Sequence, residues 1–461
     1  MNIRDEILIY GIIWLAVLVL IFHKSWKNRG TNSGMTIIYV ANFFLMHGFA
    51  ALIYLLPWHQ YIDGKLMYYG LRESTYAAVA FAIGDLVFAP VIIGVFFKPR
   101  KAQEAPAKTD PDFLYKLATR YFWIGVISNI VLPPLLMGYP TITSLVTSGQ
   151  LLTVVAMCYI CWQSWNANNM NRFRRWLYIA FSFPFLSVLI KGFLGFGTLM
   201  SMIVLFFVAR FYKPKWKVIL AGVIFAYLGL SFYLTYMRDR SEMREATWGA
   251  RAVLPVRIGM LKKSLSNPIW LNIFNLEHLE TVDGRMNQNY LIGSTVDYIQ
   301  EKRVEYAGGA TIRDSLIALI PRMFWKEKPL SAGNTDVVTK YTGIEFHGDT
   351  SVRMGQVMEL YVNFGRMGVL IGFLLIGIII EIMDVRAGYY LMNNNLRNFV
   401  IWFLPGISSI FCGNFVETTA SFGAAVFTAF AITSSNIIIL IAALYLLAQF
   451  IGQFASNWYP F

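Results

Sequence analysis

Charged residues are scarce in this sequence. Asp, Glu, Lys and Arg together make up 14% of its 461 residues, whereas a soluble globular domain carries about 25%. The three cysteines, Cys158, Cys161 and Cys412, all lie within apolar runs, and they cannot supply a disulfide framework or a four-ligand zinc site. Neither a P-loop of the GxxxxGK[ST] type nor a GxGxxG turn occurs, which argues against an ATP-driven transporter.

Apolar residues, by contrast, are abundant. Hydrophobic residues account for 57% of the chain and aromatic residues for 16%, a composition that predicts a membrane protein with many spans. The net charge is +13 at pH 7. In a membrane protein Lys and Arg collect in cytoplasmic loops and at sites for anionic lipid headgroups, so this excess does not indicate a nucleic-acid partner.

Twelve apolar stretches approach the roughly 20 residues that a membrane-spanning helix needs. We therefore predict an all-α fold, a polytopic bundle of about 12 transmembrane helices. The last three stretches are crowded, which leaves eleven or thirteen spans open. The predicted spans lie near residues 7–22, 35–57, 74–97, 121–138, 145–164, 176–190, 196–211, 217–236, 357–383, 398–413, 416–433 and 436–453.

The basic residues of the short loops predict how these spans are oriented. One set of alternate loops is strongly basic, with Lys24 in the first and further Lys and Arg in the later ones, whereas the opposite set holds Arg4, Lys65, Arg72 and Lys191. Positively charged short loops stay in the cytoplasm. We therefore expect both termini, and the long loop after the eighth span, to lie on the other side of the membrane.

These spans divide the chain into three predicted parts. Residues 1–237 would form an N-terminal membrane bundle of about eight spans, 238–355 the external loop, and 356–461 a C-terminal bundle of about four spans. Two stretches of the loop, near 253–279 and 312–325, have the pattern of amphipathic helices on a membrane surface.

Basic side chains gather at three points of the long loop. Arginine donates paired hydrogen bonds to phosphate oxygens, so such groups suit a phosphate-bearing lipid headgroup. Contact with ordinary anionic lipids, or pairing with nearby acids, would explain them without a specific ligand. The groups are Arg238, Arg240 and Arg244 after the eighth span, Arg322, Lys326 and Lys328 in the middle of the loop, and Arg353 before the ninth span.

Four polar residues open the ninth span at a spacing that places them on one face of a helix: Gln356, Glu359, Asn363 and Arg366. A polar stripe at membrane depth is costly unless it faces the bundle interior or a wet cavity. We interpret the stripe as the wall of a site, with Glu359 as a base or as the group that orients a cation. The alternative is a hydrogen-bonded seam between helices that contains a Glu359–Arg366 ion pair.

Three other ionisable residues are candidates. Asp85 lies inside the third span, Glu417 at the external end of the eleventh, and His347 in the long loop. An intramembrane acid is a functional candidate by default, although a helix cap or a structural ion pair explains Asp85 and Glu417 equally well. His347 could act as a base near neutral pH, whereas a lone loop histidine is more often simply solvated.

Two segments of the chain resemble Wzy-type polymerases of lipid-linked oligosaccharide repeat units. Residues 320–329 read IPRMFWKEKP, similar to the family's "PR-aromatic-KP" stretch, and residues 355–368 read GQVMELYVNFGRMG, similar to its "GE-x-Y-x-NFG-x-x-G" span opening. The large external loop late in the chain is similar too. The chain departs from the family at Met358, where a glycine is usual, and at Lys191, where the family has an arginine-bearing turn.

The resemblance implies a glycosyltransferase with a GT-C-like membrane fold in the bacterial inner membrane, its long loop and both termini in the periplasm. It would polymerise undecaprenyl-diphosphate-linked oligosaccharide repeat units into a surface polysaccharide. An acceptor sugar hydroxyl would attack the anomeric carbon of the donor, with lipid diphosphate as the leaving group. Because that donor is already activated, we expect a metal-independent reaction without a cofactor. The implied partners are membrane lipid and the flippase and chain-length regulator of the same pathway.

Within that function, the predicted catalytic residues are Glu359, His347 and Arg353. The residues predicted to bind the lipid diphosphate are Arg322, Lys326, Lys328, Arg238, Arg240 and Lys191. Two alternatives stay open: an O-antigen ligase that transfers glycan to lipid A core, and a flippase or transporter for the lipid-linked glycan. A transporter would need charges at the middle of the bundle and symmetric halves, and the sequence offers few such charges and no visible repeat.

Overall fold

The computed structural model of this chain is helical. It describes residues 3–58, 64–96, 110–130, 140–212, 216–248, 254–318, 334–346, 352–410 and 415–433, and within these ranges no strand occurs, which confirms the all-α prediction for this part. The helices here are α1 (Ile3–Lys27), α2 (Met35–Tyr54), α3 (Gly64–Phe96), α4 (Pro111–Ile130), α5 (Pro140–Asn166), α6 (Met170–Lys191), α7 (Leu194–Phe211), α8 (Trp216–Trp248), α9 (Leu254–Ser266), α10 (Leu276–Met286), α11 (Asn289–Gln300), α12 (Ala310–Ala318), α13 (Asn334–Thr342), α14 (Gln356–Met392), α15 (Leu396–Ser408) and α16 (Phe415–Thr433).

Six helices of the described ranges are long and apolar enough to cross a membrane: α1, α2, α3, α6, α7 and α14. Helices also occupy five more of the predicted stretches, although α15, with 13 residues, is shorter than the roughly 20 that a full span needs. The last predicted span, 436–453, lies outside the described residues. A membrane protein with several spans is therefore supported, and the number twelve stays a prediction.

Helices α3 and α14 pack closely against each other. A side chain added at Gly84 of α3 would lie 2.2 Å from the carbonyl oxygen of Leu374, and one added at Gly377 of α14 would lie 2.3 Å from that of Phe81. Small residues allow membrane helices to approach this closely. On α14 the Phe373 ring also stacks on Phe43 of α2, with ring centroids 5.0 Å apart.

Three of these six candidate membrane-spanning helices are irregular. A π-helical turn interrupts α2 at Phe44–Gly48, and another interrupts α3 at Gly84–Phe88. In α14 the backbone leaves the helical region at Phe364 and Gly365, where Gly365 has φ 62°. Because π turns and helix breaks often occur at functional sites, these positions direct attention to the side chains beside them.

The long loop is attached to the bundle by side-chain and backbone contacts. Helix α8 continues to Trp248, past the predicted loop start at 238. Further along, the Asn289 side-chain amide donates to the carbonyl oxygen of His47 in α2 at 2.8 Å, and the backbone N–H of Gln288 donates to Met46 O at 3.0 Å. These contacts fix α11 against the membrane helices.

The first predicted amphipathic stretch is not a single helix. The first contains α9, which ends at Ser266, two residues before Pro268, and α10, which begins at Leu276. A proline disfavours helical backbone in the residue that precedes it, which accounts for the end of α9. The second stretch overlaps α12, and its remainder from residue 319 lies outside the described residues.

A reciprocal glycine contact joins α11 to α3. A Cβ on Gly293 would lie 1.7 Å from Leu66 O, and a Cβ on Gly70 would lie 1.8 Å from Asn289 O. We expect Gly293→Ala to destabilise the protein by about 1–3 kcal/mol, because the two backbones would have to separate. The measurement is the midpoint of thermal unfolding in detergent. Gly284→Ala, at a position with no atom within 4 Å of the added Cβ, is the matched control and should not lower the midpoint.

Candidate functional site

Glu359 lies at the start of α14 and is fully buried. Its Oε2 accepts a hydrogen bond from the backbone N–H of Phe415, the first residue of α16. Its Oε1 is buried and accepts no hydrogen bond of standard geometry within the described ranges, and the Thr311 hydroxyl also interacts with this carboxylate. An unpaired buried acceptor costs free energy. The position is therefore one at which a hydroxyl donor could be bound.

Arg353 lies three residues before α14 and pairs with Glu417 of α16. Arg353 Nη1 is 3.3 Å from Glu417 Oε2, and the two side chains are 58% and 30% exposed. Glu417 is two residues after Phe415, the residue whose N–H binds Glu359. The structure thus brings together three residues that the sequence indicated as candidates.

Asn363 connects these groups to the long loop. Its side-chain amide donates to Thr311 Oγ1 of α12 at 2.7 Å and to the carbonyl oxygen of Glu359 at 2.8 Å. We call the five residues Thr311, Arg353, Glu359, Asn363 and Glu417 the Glu359 cluster. It combines one buried acid with one exposed guanidinium, the two charge types that a group-transfer site needs.

The predicted stripe on α14 is not a single wall. Gln356 Oε1 accepts from the Tyr39 hydroxyl at 2.6 Å, so this side chain is directed to α2, whereas Glu359 is directed to α16 and Asn363 to α12. The alternative Glu359–Arg366 ion pair is wrong, because Arg366 pairs with Glu73 of α3. The break at Phe364 and Gly365 ends the regular helical register before Arg366, whereas a common face for all four residues requires a continuous register.

Two arginines converge on Glu73. Arg366 Nη2 is 2.7 Å from Glu73 Oε1 and Arg366 Nε is 3.1 Å from Oε2, while Arg72 Nε is 3.1 Å from Oε1. Tyrosine rings lie against both guanidinium groups, Tyr76 beside Arg366 at 4.9 Å and Tyr69 beside Arg72 at 5.1 Å. We call Arg72, Glu73 and Arg366 the Glu73 triad.

Sequence reasoning missed Glu73 and treated Arg72 as a loop cation. The available signal was an Arg-Glu pair directly before the apolar run of the third span. An acid at such a boundary is normally solvated, whereas Glu73 is fully buried. A buried acid needs a cation, and two arginines supply it here.

The predicted diphosphate ligands Lys191 and Arg238 contact residues outside the Glu359 cluster. Lys191 Nζ donates to Gln150 Oε1 at 2.7 Å and lies 4.2 Å from the Phe196 ring centre. Tyr236 of α8 donates through its hydroxyl to Gly192 O at 2.8 Å. The Lys191 turn therefore lies beside α8, just before Arg238.

The Arg238 guanidinium is paired with the carboxylate of the next residue, Asp239. Its Nε and Nη2 lie 2.7 and 2.9 Å from the two carboxylate oxygens of Asp239, and this hydrogen bonding lowers the pKa of Asp239. Arg240 is half-buried on the same helix. The contacts described here for Arg238 and Lys191 are to groups outside the Glu359 cluster. The other predicted site residues, Arg322, Lys326, Lys328 and His347, lie outside the described residues.

Asp85 belongs to a buried ionic network that the sequence did not reveal. Lys24 Nζ is 2.9 Å from Asp85 Oδ2 and 2.8 Å from Glu381 Oε1. Asp85 lies in the π turn of α3, is fully buried, and its Oδ1 has no hydrogen-bond partner within the described ranges. We call Lys24, Asp85, Glu381 and Asp384 the Lys24 network.

Asp384 fixes the link between α1 and α2. Its Oδ1 accepts from the Ser33 N–H and hydroxyl, both at 2.6 Å, and from the Met35 N–H at 3.1 Å. The Thr36 hydroxyl donates to Glu381 Oε2 at 3.1 Å. A carboxylate that receives the first N–H groups of a helix stabilises its N-terminus, so Asp384 of α14 caps α2.

Across the described part of the chain, no group of three His, Cys, Asp or Glu residues is placed to hold a metal ion. The expectation of a metal-independent reaction stays a prediction, since residues outside these ranges could contribute ligands.

Residues 59–401 match the family described as domain of unknown function DUF8712. The match covers well over half of the chain, and the chain belongs to this family. It includes the Glu73 triad, the Lys24 network apart from Lys24, and the Glu359 cluster apart from Glu417. No curated protein and no solved structure gives a significant match.

Proposed function

We propose that this member of the DUF8712 family is a membrane glycosyltransferase that polymerises undecaprenyl-diphosphate-linked oligosaccharide repeat units at the periplasmic face of the bacterial inner membrane. The single observation that carries the proposal is the Glu359 cluster. A buried carboxylate with an unpaired oxygen lies at the start of a membrane-spanning helix, and the first turn of α16 links it to an exposed arginine.

The proposed reaction forms one glycosidic bond and breaks one sugar–phosphate bond. The acceptor sugar hydroxyl attacks the anomeric carbon of the donor, and its proton passes to Glu359 Oε1. The electron pair of the broken C–O bond leaves with the undecaprenyl diphosphate. A positioned base contributes typically 10²–10⁴-fold to such a step.

Arg353 would stabilise the negative charge that develops on the leaving diphosphate. Its side chain is 58% exposed, so an incoming substrate can reach it. Glu417 contacts the guanidinium at 3.3 Å, and a doubly charged diphosphate can replace this contact. Charge stabilisation of this kind usually contributes more to catalysis than any other single effect.

The Lys24 network supports a second candidate function, a flippase or transporter for the lipid-linked glycan. It places three buried acids beside one partly exposed lysine, on three helices that are long enough to span the membrane. Buried ionisable groups in membrane helices are characteristic of ion-coupled transport, and the sequence alone had indicated few such charges.

Deletion of the gene and analysis of the surface glycan on a gel tests the proposal. Loss of a polymerase leaves single repeat units on the lipid A core, and the polymer returns when the gene is restored. Long chains retained on the carrier lipid would instead identify a ligase. The absence of any surface repeat unit, with single units held on the carrier, would identify a flippase. Either of the last two patterns contradicts the proposal.

A further inference from the structure

The Glu73 triad carries more positive charge than its acid can neutralise. Two guanidinium groups share one carboxylate, and both bind the same oxygen, Glu73 Oε1. In the described part of the chain the buried Nη2 of Arg72 has no hydrogen-bond acceptor. An unpaired guanidinium donor next to an excess positive charge is a position at which an anion binds.

The triad opens to the side of the protein that lipid would cover. Arg366 is 44% exposed on α14, and the apolar side chains beside it, Phe364 and Met367, are 51% and 63% exposed. On a helix long and apolar enough to cross a membrane, an arginine between exposed apolar side chains would face lipid. The anion that reaches it can therefore arrive laterally, attached to a lipid.

The triad lies toward the loop end of both helices. Glu73 is nine residues after the first residue of α3, and Arg366 is ten residues after the first residue of α14. The loop residue Tyr306 packs over Gly365, whose added Cβ would lie 3.0 Å from the Tyr306 hydroxyl oxygen. An aromatic ring thus stands on the loop side of Arg366, where a sugar attached to the phosphate would extend.

We propose that Arg72 and Arg366 form a clamp for the phosphate groups of a lipid diphosphate, with Glu73 occupying the clamp when it is empty. Arginine binds phosphate through two parallel hydrogen bonds, and Arg366 already presents this geometry to the two Glu73 oxygens. A diphosphate replaces the carboxylate with more oxygens and more charge.

The assignment of this anion to the sugar donor rests on the proposed function. Arg366 follows Glu359 on α14 by seven residues, with the break at Phe364 and Gly365 between them. That separation suits a donor whose phosphates lie at the clamp while its anomeric carbon lies near the Glu359 carboxylate. The recognition of the diphosphate itself rests on the triad alone.

The test is lipid binding to the purified full-length chain in detergent, measured by native mass spectrometry with undecaprenyl diphosphate, inorganic pyrophosphate and phosphatidylglycerol as probes. We expect Arg366→Ala to weaken undecaprenyl diphosphate binding about tenfold to a hundredfold, the range for losing hydrogen bonds to a charged group. Arg366→Lys should weaken it less, because the charge stays and the paired geometry is lost. Glu73→Gln should strengthen it, because the competing carboxylate becomes neutral.

Arg386→Ala, at the other end of the same helix, is the matched control and should bind as wild type.

Pyrophosphate binding with the same arginine dependence supports diphosphate recognition independently of the lipid tail, and equal binding of phosphatidylglycerol and the diphosphate overturns it. The clamp is also overturned if Arg366→Lys and Glu73→Gln, both soluble and monodisperse, bind undecaprenyl diphosphate as wild type does. If the variants show that binding depends on the clamp but deletion of the gene leaves the surface glycan unchanged, the proposed function is contradicted and the clamp is still supported.

Discussion

Arg353→Ala is expected to stop elongation of the glycan while leaving the protein folded. Loss of one preorganised donor to a developing anion typically costs 10²–10³ in rate, so repeat units should remain almost entirely unpolymerised. The effect on stability should be small, because the Arg353–Glu417 pair is largely exposed and exposed pairs contribute about 0–1 kcal/mol. The measurement is the length distribution of surface glycan in a deletion strain that expresses the variant.

Arg303→Ala is the matched control for Arg353→Ala. Arg303 belongs to the same long loop, is 57% exposed, and pairs with Glu301 at 2.5 Å. Its removal therefore takes away the same charge as the removal of Arg353, from a side chain of nearly equal exposure. Full-length polymer from the Arg303 variant and none from the Arg353 variant is the expected pair of results. Normal polymer from a strain with Arg353→Ala would remove this arginine from the site.

Glu359→Gln is expected to lower the rate of polymerisation by 10²–10⁴-fold, the contribution of a general base. Glutamine keeps a carbonyl oxygen that can accept the Phe415 N–H, and it has nearly the same volume. The fold should therefore survive, while the ability to take a proton is lost. The measurement is the initial rate of repeat-unit coupling by equal amounts of purified wild-type and variant protein.

Glu359→Asp provides the comparison at the same position. It keeps the carboxylate but withdraws it by one methylene, so we expect activity between that of wild type and the glutamine variant. A glutamine variant that couples repeat units at the wild-type rate would show that Glu359 is a structural residue. Its contact with Phe415 would then serve only to position α16.

The helices were predictable because their hydrophobic runs are long. Two predicted spans, 357–383 and 416–433, begin within one residue of α14 at Gln356 and α16 at Phe415. The prediction was less accurate where a helix continues past its apolar run. Lys24 was assigned to a cytoplasmic loop, whereas α1 extends to Lys27. The sequence shows where an apolar run ends. It does not show that Lys24, which follows such a run, pairs with Asp85 and Glu381 of other helices.

The partners of the buried charges could not be read from the sequence. Asp85 was recognised as an intramembrane acid, yet its cation is 61 residues away in the chain. Arg366 was placed on one face with Glu359 by helical spacing, and the break at Gly365 separates them. Pairing of buried charges depends on which helices become neighbours, and hydropathy and helical spacing do not show this.

Above all, we propose that this chain joins lipid-linked repeat units by itself. The direct measurement is incubation of the purified full-length protein with an undecaprenyl-diphosphate-linked repeat unit as the sole substrate, followed by separation of the products by length. We expect a ladder of two and more repeat units on the carrier, with one undecaprenyl diphosphate released for each new glycosidic bond. Unchanged single units and no released carrier, from protein that is folded and binds the substrate, would contradict the proposal.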